Sequence, residues 1–444
     1  LIDLAMEAVA LALAAGATDA ECTIAEGEEF SAQVRLGEVE TLKQAASRGM
    51  GLRILRGQNT GSSYTSDLSA EGVRQMVAQA IELAGVTSED PFAGLADAGE
   101  FGAISGDLQM YSRDVEELEA PVKIDIAKRA EAAALGFDSR ITNSDGGSFD
   151  SHLGRRIFAN SRGFAGEYRS SYCSLSATAV AKAGEQMERD YWYHSARRFP
   201  DLESPEHVGR IAAERTLRRL GAVKVETQKV PVIFEARVAR SMMGHIFEAI
   251  EGRSVYRQST FLAGKLGEKV AASGLTVIDD GTIPGLFGTQ PFDDEGIPTR
   301  RTPVIENGVL KSYLLNTYAA RKLGMKTTGN ASRGVTGNAG VGHGNFYLEA
   351  GTRSPEEMIA SVKNGFYVTE LIGSGVNVAT GDYSRGAAGL WIRNGELAFA
   401  VSEVTIASTL QQMLMEMEAG SDLEFRGSVA APTLLIGEMT VGGR

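Results

Sequence analysis

The chain has 444 residues, of which 43% are hydrophobic and 23% charged, and it carries a formal net charge of -13. This is the composition of a soluble globular protein, long enough for two or three domains with complete cores. The acidic balance repels phosphate backbones and argues against nucleic-acid binding, and no window reaches the roughly eighteen apolar residues that would suggest a membrane span. The cysteines, Cys22 and Cys173, lie outside any Cys-x-x-Cys pair. No disulfide framework is indicated, and a reducing cytosol is the natural compartment.

Residues 1–15, LIDLAMEAVALALAA, are apolar enough to suggest a signal peptide, but they contain Asp3 and Glu7 and lack a basic start. They read as an opening helix stopped by Gly16. A strand is expected over 21–26, a hairpin over 30–36 and 39–43, and another over 49–55 and 59–66. Ser69 can cap a helix over 70–84, with Gly85 beyond its end. Residues 87–112 form a Gly/Asp/Ser-rich connector, expected to run over the surface. A second long helix is expected over 115–134. Strands follow over 141–151, 155–160, 164–180 and 187–195, with a turn at Ser161-Arg162-Gly163. Ser204-Pro205-Glu206 then opens a helix to Leu220. Strands followed by a helix therefore occur twice within 1–225, which suggests an internal duplication of about 1–112 and 113–225, with a linker over 221–229.

The second domain, 226–444, opens on a β-rich run, 230–234. Val238, Met242, Ile246, Ala249 and Ile250 then recur at helical spacing. This helix carries His245, one of only five histidines, and leads into a polar segment over 254–261. Strands are expected over 275–279, 301–306 and 309–315, a short helix from Ser354 to Asn364, and strands over 389–393 and 396–401. Asn307-Gly308 and Asn394-Gly395 are hairpin signals. An amphipathic helix over 406–417 and a closing strand over 431–441 complete the pattern. The fold class is α+β: a duplicated strand-and-helix N-terminal domain plus a largely antiparallel, β-rich C-terminal domain.

A helix with a histidine followed by a polar segment can form the wall of an active site. A single histidine reads first as a packed, hydrogen-bonded side chain, and only second as a remnant metal or substrate contact. Glu248, one turn on, could join it as His-x-x-Glu, although helix carboxylates usually form solvated faces. His343, among glycines, reads as an exposed loop histidine that could otherwise meet His245 across a cleft. His152, His194 and His207 have no partner at ligand spacing. Asp279-Asp280 and Asp293-Asp294-Glu295 could be acid/base pairs, but each run precedes a glycine, which favours turn chemistry. The glycine-rich stretch 373–389 matches neither a P-loop nor a dinucleotide fingerprint. Ser254, Tyr256, Ser259 and Thr260 lack the histidine pattern of a serine hydrolase.

Three stretches, GRSVYRQSTFLAGKLGEKVA, PFDDEGIPTRRTPVIENGVLKSYLLNTYAARKLGMKTTGNA and TGDYSRGAAGLWIRNGELAFAVSEVTIA, resemble the PmbA/TldE branch of the TldD/PmbA family. The likeness spans most of the second half, and the first half is similar in layout. The zinc-bearing TldD branch has His-Glu-x-x-x-His on the corresponding helix, plus a distant Cys ligand. Setting His245 on the second histidine puts Arg240 at the first and Ser241 at the Glu, and LEFRGSVAAPTLLIGEMTVGGR offers no Cys. A catalytic zinc needs three protein ligands and an open position for water, and a nearby carboxylate takes that water's proton. Arg240 would put a permanent positive charge where the metal should sit. Residues five apart share no face of a regular α-helix, so the original motif requires a π-bulge.

The resemblance thus implies a chain with no catalytic residues and no zinc of its own, and degenerate motif positions Arg240, Ser241 and His245. Zinc and hydrolysis would reside in a TldD-like partner, within a cytosolic heterodimer that cleaves unfolded or small peptides. Glu248, Tyr256, Ser259, Asp382, Tyr383 and Arg385 are the candidate cavity or substrate contacts, with the glycine-rich backbone able to hold an extended peptide. The family carries an older label, modulator of DNA gyrase, but the acidic balance argues against direct DNA contact. Two alternatives stand beside this reading: a non-catalytic peptide-binding or regulatory homodimer, and a divergent metalloprotease using His245, Glu248 and His343. Whether this chain is itself an enzyme stays open.

Overall fold

Helix α1 (Ile2–Ala14) buries Ala5, Ala8, Val9 and Ala12 and ends before Gly16, which adopts φ 97°. A meander follows: β1 (Asp19–Arg35), β2 (Glu38–Arg56) and β3 (Asn59–Thr65). Next comes α2 (Ala70–Ala84), capped by Ser69 Oγ, which accepts from the Gly72 N–H at 3.2 Å. The plan then repeats: a one-turn helix α3 (Arg113–Glu116), α4 (Ala120–Leu135), strands β4 (Ile141–Asn160), β5 (Ala165–Ala183) and β6 (Gln186–Ala196), and α5 (Pro205–Leu217). The expected long helix over 115–134 is broken because Pro121 starts α4 afresh. This computed structural model describes residues 1–443; Arg444, which ends the expected second domain, lies outside the described residues.

The two sets of three strands join in one six-stranded sheet, ordered β3-β2-β1-β4-β5-β6, with β1 antiparallel to β4 from Glu21↔Asn160 to Val34↔Gly147. Side chains alternate faces along a strand. On β1, Ala20, Cys22 and Ile24 pack under α1 and α2, and Phe30, Ala32 and Val34 pack with α4 and α5. Glu21 and Thr23 point the other way, towards Arg333 of the second half. Cys22 and Cys173 are free and buried. The connector runs across the second half, as Gly102 N–H donates to Gly296 O at 3.0 Å and Ile104 N–H to Pro291 O at 2.9 Å.

The second half contains a closed barrel. β7 (Gln228–Phe234) pairs in parallel with the strand Asn364–Ile372 and antiparallel with Leu434–Gly442. Glu396–Thr409 and Asp382–Arg393 continue the sheet, and the latter returns to Asn364–Ile372. A smaller five-stranded sheet has Val277–Asp280 at its centre. Helix α6 (Ala236–Ile250) joins one apolar core with both: its Met242, Met243 and Ile246 pack with Val232, Phe366 and Phe346. Asn307-Gly308 and Asn394-Gly395 are positive-φ pairs, at 50° and 81° and at 54° and 81°, as type I′ hairpins require.

The expected helix over 406–417 is instead the end of a strand followed by Leu410–Glu416. Val404 and Ile406 are strand residues of the core, and Thr409 starts the helix by accepting from Gln412 N–H at 3.2 Å. Among the described residues no helix is long and apolar enough to cross a membrane.

Candidate functional site: a cleft between the halves

Helix α6 is fixed at its first turn by Glu235. The Glu235 carboxylate accepts from Arg215 at 3.0 and 2.8 Å and from Arg218 at 2.9 Å, both on or next to α5. Burial alone would raise its pKa, but the two guanidinium charges outweigh burial and hold it at about 2. The start of α6 is thereby tied to the first half.

The apolar face of α6 enters the core. Arg240, Ser241 and Gly244 face a cleft of about 1350 Å³, larger than an ordinary small-molecule pocket. Thr178, Arg189 and Tyr191 of the first sheet line it opposite Thr369 and Arg385 of the barrel, and Gly427 and Ser428 add a further wall. The helix is α-helical throughout. Arg240 and His245 therefore project about 140° apart, and the bulge that would let two ligands at this spacing converge is not formed.

His245 is half-buried behind this wall, with its ring edge-on to Tyr383 at 5.9 Å. Burial, and then the charge of Arg385, push its pKa down, so the imidazole is neutral near pH 7. Burial pushes the Tyr383 phenol up to about 12 although Arg385 pulls against it. Tyr383 and Arg385 lie two apart on one strand and hence on one face.

The other candidates lie elsewhere. Glu248 is exposed on α6 but does not line the cleft. Tyr256 packs edge-on against Tyr318 at 6.0 Å, Ser259 donates to Ser254 O at 3.2 Å, and Asp382 accepts from Thr380 Oγ1 at 2.6 Å. The glycine-rich backbone is largely spent within the barrel, where Gly386 and Gly389 pair with both neighbouring strands. His343 is not the exposed loop residue expected: its ring packs edge-on against Phe247 of α6 at 4.9 Å, and burial lowers its pKa. The acidic runs act as loop clamps. Asp293 accepts from the N–H groups of Glu295, Ile297 and Ala331, and Asp294 pairs with Arg156 at 2.8 Å.

One group escaped the sequence. His194, Glu203 and Glu424 place potential ligand atoms within 4.8 Å of one another, although His194 has no ligand-spaced neighbour along the chain. Arg426 already occupies this cluster, donating to Glu203 at 3.1 Å and to Glu424 at 2.9 Å, and the Trp192 indole donates to Glu203 at 3.0 Å. The two carboxylates thus already share one guanidinium, against which a cation would have to compete. The cleft arginines of the first half, Arg189 and Arg219, were also missed, because residues from β6 and from just beyond α5 meet α6 only in the folded chain.

Comparison with known proteins agrees along the whole chain. Three family domains match in order: PmbA/TldA metallopeptidase domain 1 over 20–84, the central domain over 113–220 and the C-terminal domain over 227–443. Metalloprotease PmbA of Escherichia coli O157:H7 is 40% identical over 437 residues, covering 98% of this chain and 95% of that protein. The PmbA homolog of Haemophilus influenzae is 36% identical over 438 residues, 98% of this chain and 94% of that protein. A crystal structure from Bacteroides thetaiotaomicron, described as a candidate modulator of DNA gyrase, superposes with a TM-score of 0.92 at 29% identity, covering 100% of this chain and 98% of that one. TldE from Thermococcus kodakarensis shares the fold, with a TM-score of 0.88 at 21% identity and coverage of 99% and 100%. Matched from its first sheet to the last strand of its barrel, the chain belongs to the PmbA/TldD family of metalloproteases and has that family's α+β fold.

Proposed function

We propose that this chain is the zinc-free, TldE-type subunit of a heterodimeric cytosolic metalloprotease acting on unfolded or small peptides, with catalysis in a TldD-like partner. The observation that carries this reading is the cleft face of α6. Where a ligand and a base are required it has Arg240 and Ser241, and His245 stands alone behind them. These residues do not fit zinc. A guanidinium repels the ion, a serine hydroxyl is a poor base, and one imidazole is too few ligands. The set His245, Glu248 and His343 fares no better, since His343 is packed on Phe247 and its Nδ1 lies 2.9 Å from Gly344 O.

In this reading the chain's own work is steric and polar. It walls a chamber wide enough for an extended peptide and limits what enters, with loose sequence preference if the peptide is held by its backbone. The net charge of -13 supports a role without nucleic acid. The test is metal analysis and peptidase assay of the purified chain alone and with a TldD-like partner. The lone chain should hold no stoichiometric zinc and cleave nothing, and adding the partner should give zinc-dependent cleavage. Stoichiometric zinc with turnover by the lone chain would refute the assignment. Co-purification separates it from a peptide-holding homodimer, which would bring down only itself.

A further inference from the structure

Five arginines line the cleft. Three are matched by acids: Arg189 by Asp145 at 3.1 Å, Arg219 by Glu188 at 3.1 Å and Glu370 at 2.6 Å, and Arg237 by Asp190 at 3.5 Å. Arg240 and Arg385 pair with no carboxylate among the described residues. Arg240 donates only to the Tyr193 hydroxyl and lies over that ring at 5.7 Å. Arg385 has a buried Nε without an acceptor. Beside it, Tyr383 is 1% exposed, with the Arg385 guanidinium acting on its hydroxyl, and the buried His245 Nε2 has no hydrogen-bond partner among the described residues. Burying such groups unpaired is costly.

This set is rich in donors and poor in acceptors: two guanidiniums, a phenol, a neutral imidazole and the Ser241 hydroxyl. A carboxylate is its complement, because it only accepts and takes charge-assisted bonds from arginine. A metal ion is the opposite of what these groups want. The other charged groups of the cleft are already paired, Asp145, Glu188, Asp190 and Glu370 each with an arginine, and Val238, Gly244, Leu371 and Val429 are among the rest of its lining. The anion it suits is therefore one attached to an otherwise uncharged chain.

We infer that Arg240 and Arg385, backed by Tyr383 and His245, bind the C-terminal carboxylate of a peptide where the cleft runs between α6 and the barrel. The inference rests on the reading that peptides enter this cleft.

The experiment is calorimetric titration of the full chain with tetra-alanine as the free acid, with its C-terminal amide, and with inorganic phosphate. The free acid should bind about tenfold or more tightly than the amide. R385Q and R240Q should each remove most of that ratio. Equal binding of acid and amide by the wild-type chain overturns the carboxylate assignment but leaves a peptide-holding cleft standing. Binding of neither peptide overturns both. Phosphate binding tighter than the acid, or a ratio preserved in a folded R240Q/R385Q variant, also overturns the carboxylate assignment. The acid-to-amide comparison needs no variant, so a misfolded mutant cannot shield the idea.

Discussion

At the scale of single residues, the decisive feature is how charge is neutralised or left over. Glu235 shows the neutralised case. Its pKa falls from 4.5 to about 2 because two arginines outweigh the cost of burial. The unfolded chain therefore binds a proton that the folded chain refuses between these values. The contribution is fully present above about pH 4.5 and is lost as pH falls towards 2, at about 3 kcal/mol in all. Glu235→Gln should remove this acid limb from a plot of urea stability against pH. It should also cost about 3 kcal/mol at pH 7, since it leaves Arg218 with no carboxylate and Arg215 with only Asp190, at 3.4 Å. Asp279 has the opposite sign. Burial raises it from 3.8 to about 7 despite hydrogen bonds from Asn330 and Gly344. The folded chain then keeps a proton that the unfolded chain releases, and this contribution to stability declines as pH rises from 3.8 towards 7. Stability measured from pH 2 to 8 should rise and then decline on this account, and an acid limb unchanged by Glu235→Gln would show that the arginines matter less than their distances suggest.

At the scale of elements, α6 decides what the cleft can hold. Gly244 lies mid-helix on the cleft face, and a Cβ there would meet nothing within 4 Å. Gly244→Ala should therefore stabilise the protein by about 0.5–1 kcal/mol through helix propensity, read as a higher urea midpoint with unchanged slope. It should also weaken tetra-alanine binding, because the methyl group enters the space a peptide would occupy. Helix α6 was legible because its apolar residues keep helical period, and the Ser69 cap and both Asn-Gly turns were legible because their chemistry is local. The long strands were not. β1 and β4 run for 17 and 20 residues, but on β1 the apolar alternation lapses at Gly27, Glu28 and Glu29, between the parts of the sheet covered by the two helix pairs. A strand crossing an uncovered patch looks like two strands. Of the site, Arg240, Ser241 and Arg385 could be singled out from motif positions. Arg189, Arg219 and the His194 cluster could not, since only the tertiary fold brings those segments together.

At the scale of the whole molecule, the two halves are coupled through buried contacts rather than a flexible hinge. Glu21, 2% exposed in the first sheet, accepts from Arg53 at 2.8 Å and from Arg333 of the second half at 2.5 Å. Arg156 pairs with Asp294 at 2.8 Å, and Arg197 donates to Phe287 O at 2.9 Å. Next to the Arg333 contact, the loop backbone lies directly on β2. A Cβ on Gly51 would fall 1.5 Å from the Val335 carbonyl oxygen, so only glycine admits the loop at this distance. Shared burial of this kind makes separate unfolding of either half expose unpaired charge. The wild-type chain should therefore melt in one transition, with calorimetric and van't Hoff enthalpies equal. Gly51→Ala must push the 333–339 loop away and loosen Arg333 from Glu21. It should cost about 2–4 kcal/mol and split the melt into two steps, because the second half would lose its hold on the first sheet while the barrel core stays intact. Scanning calorimetry of the two proteins decides the matter. A single unshifted transition in Gly51→Ala would mean that the loop can move aside freely, and the coupling would then reside in the remaining contacts, Arg156 with Asp294, Arg197 with Phe287 O, and Glu235 with its arginines.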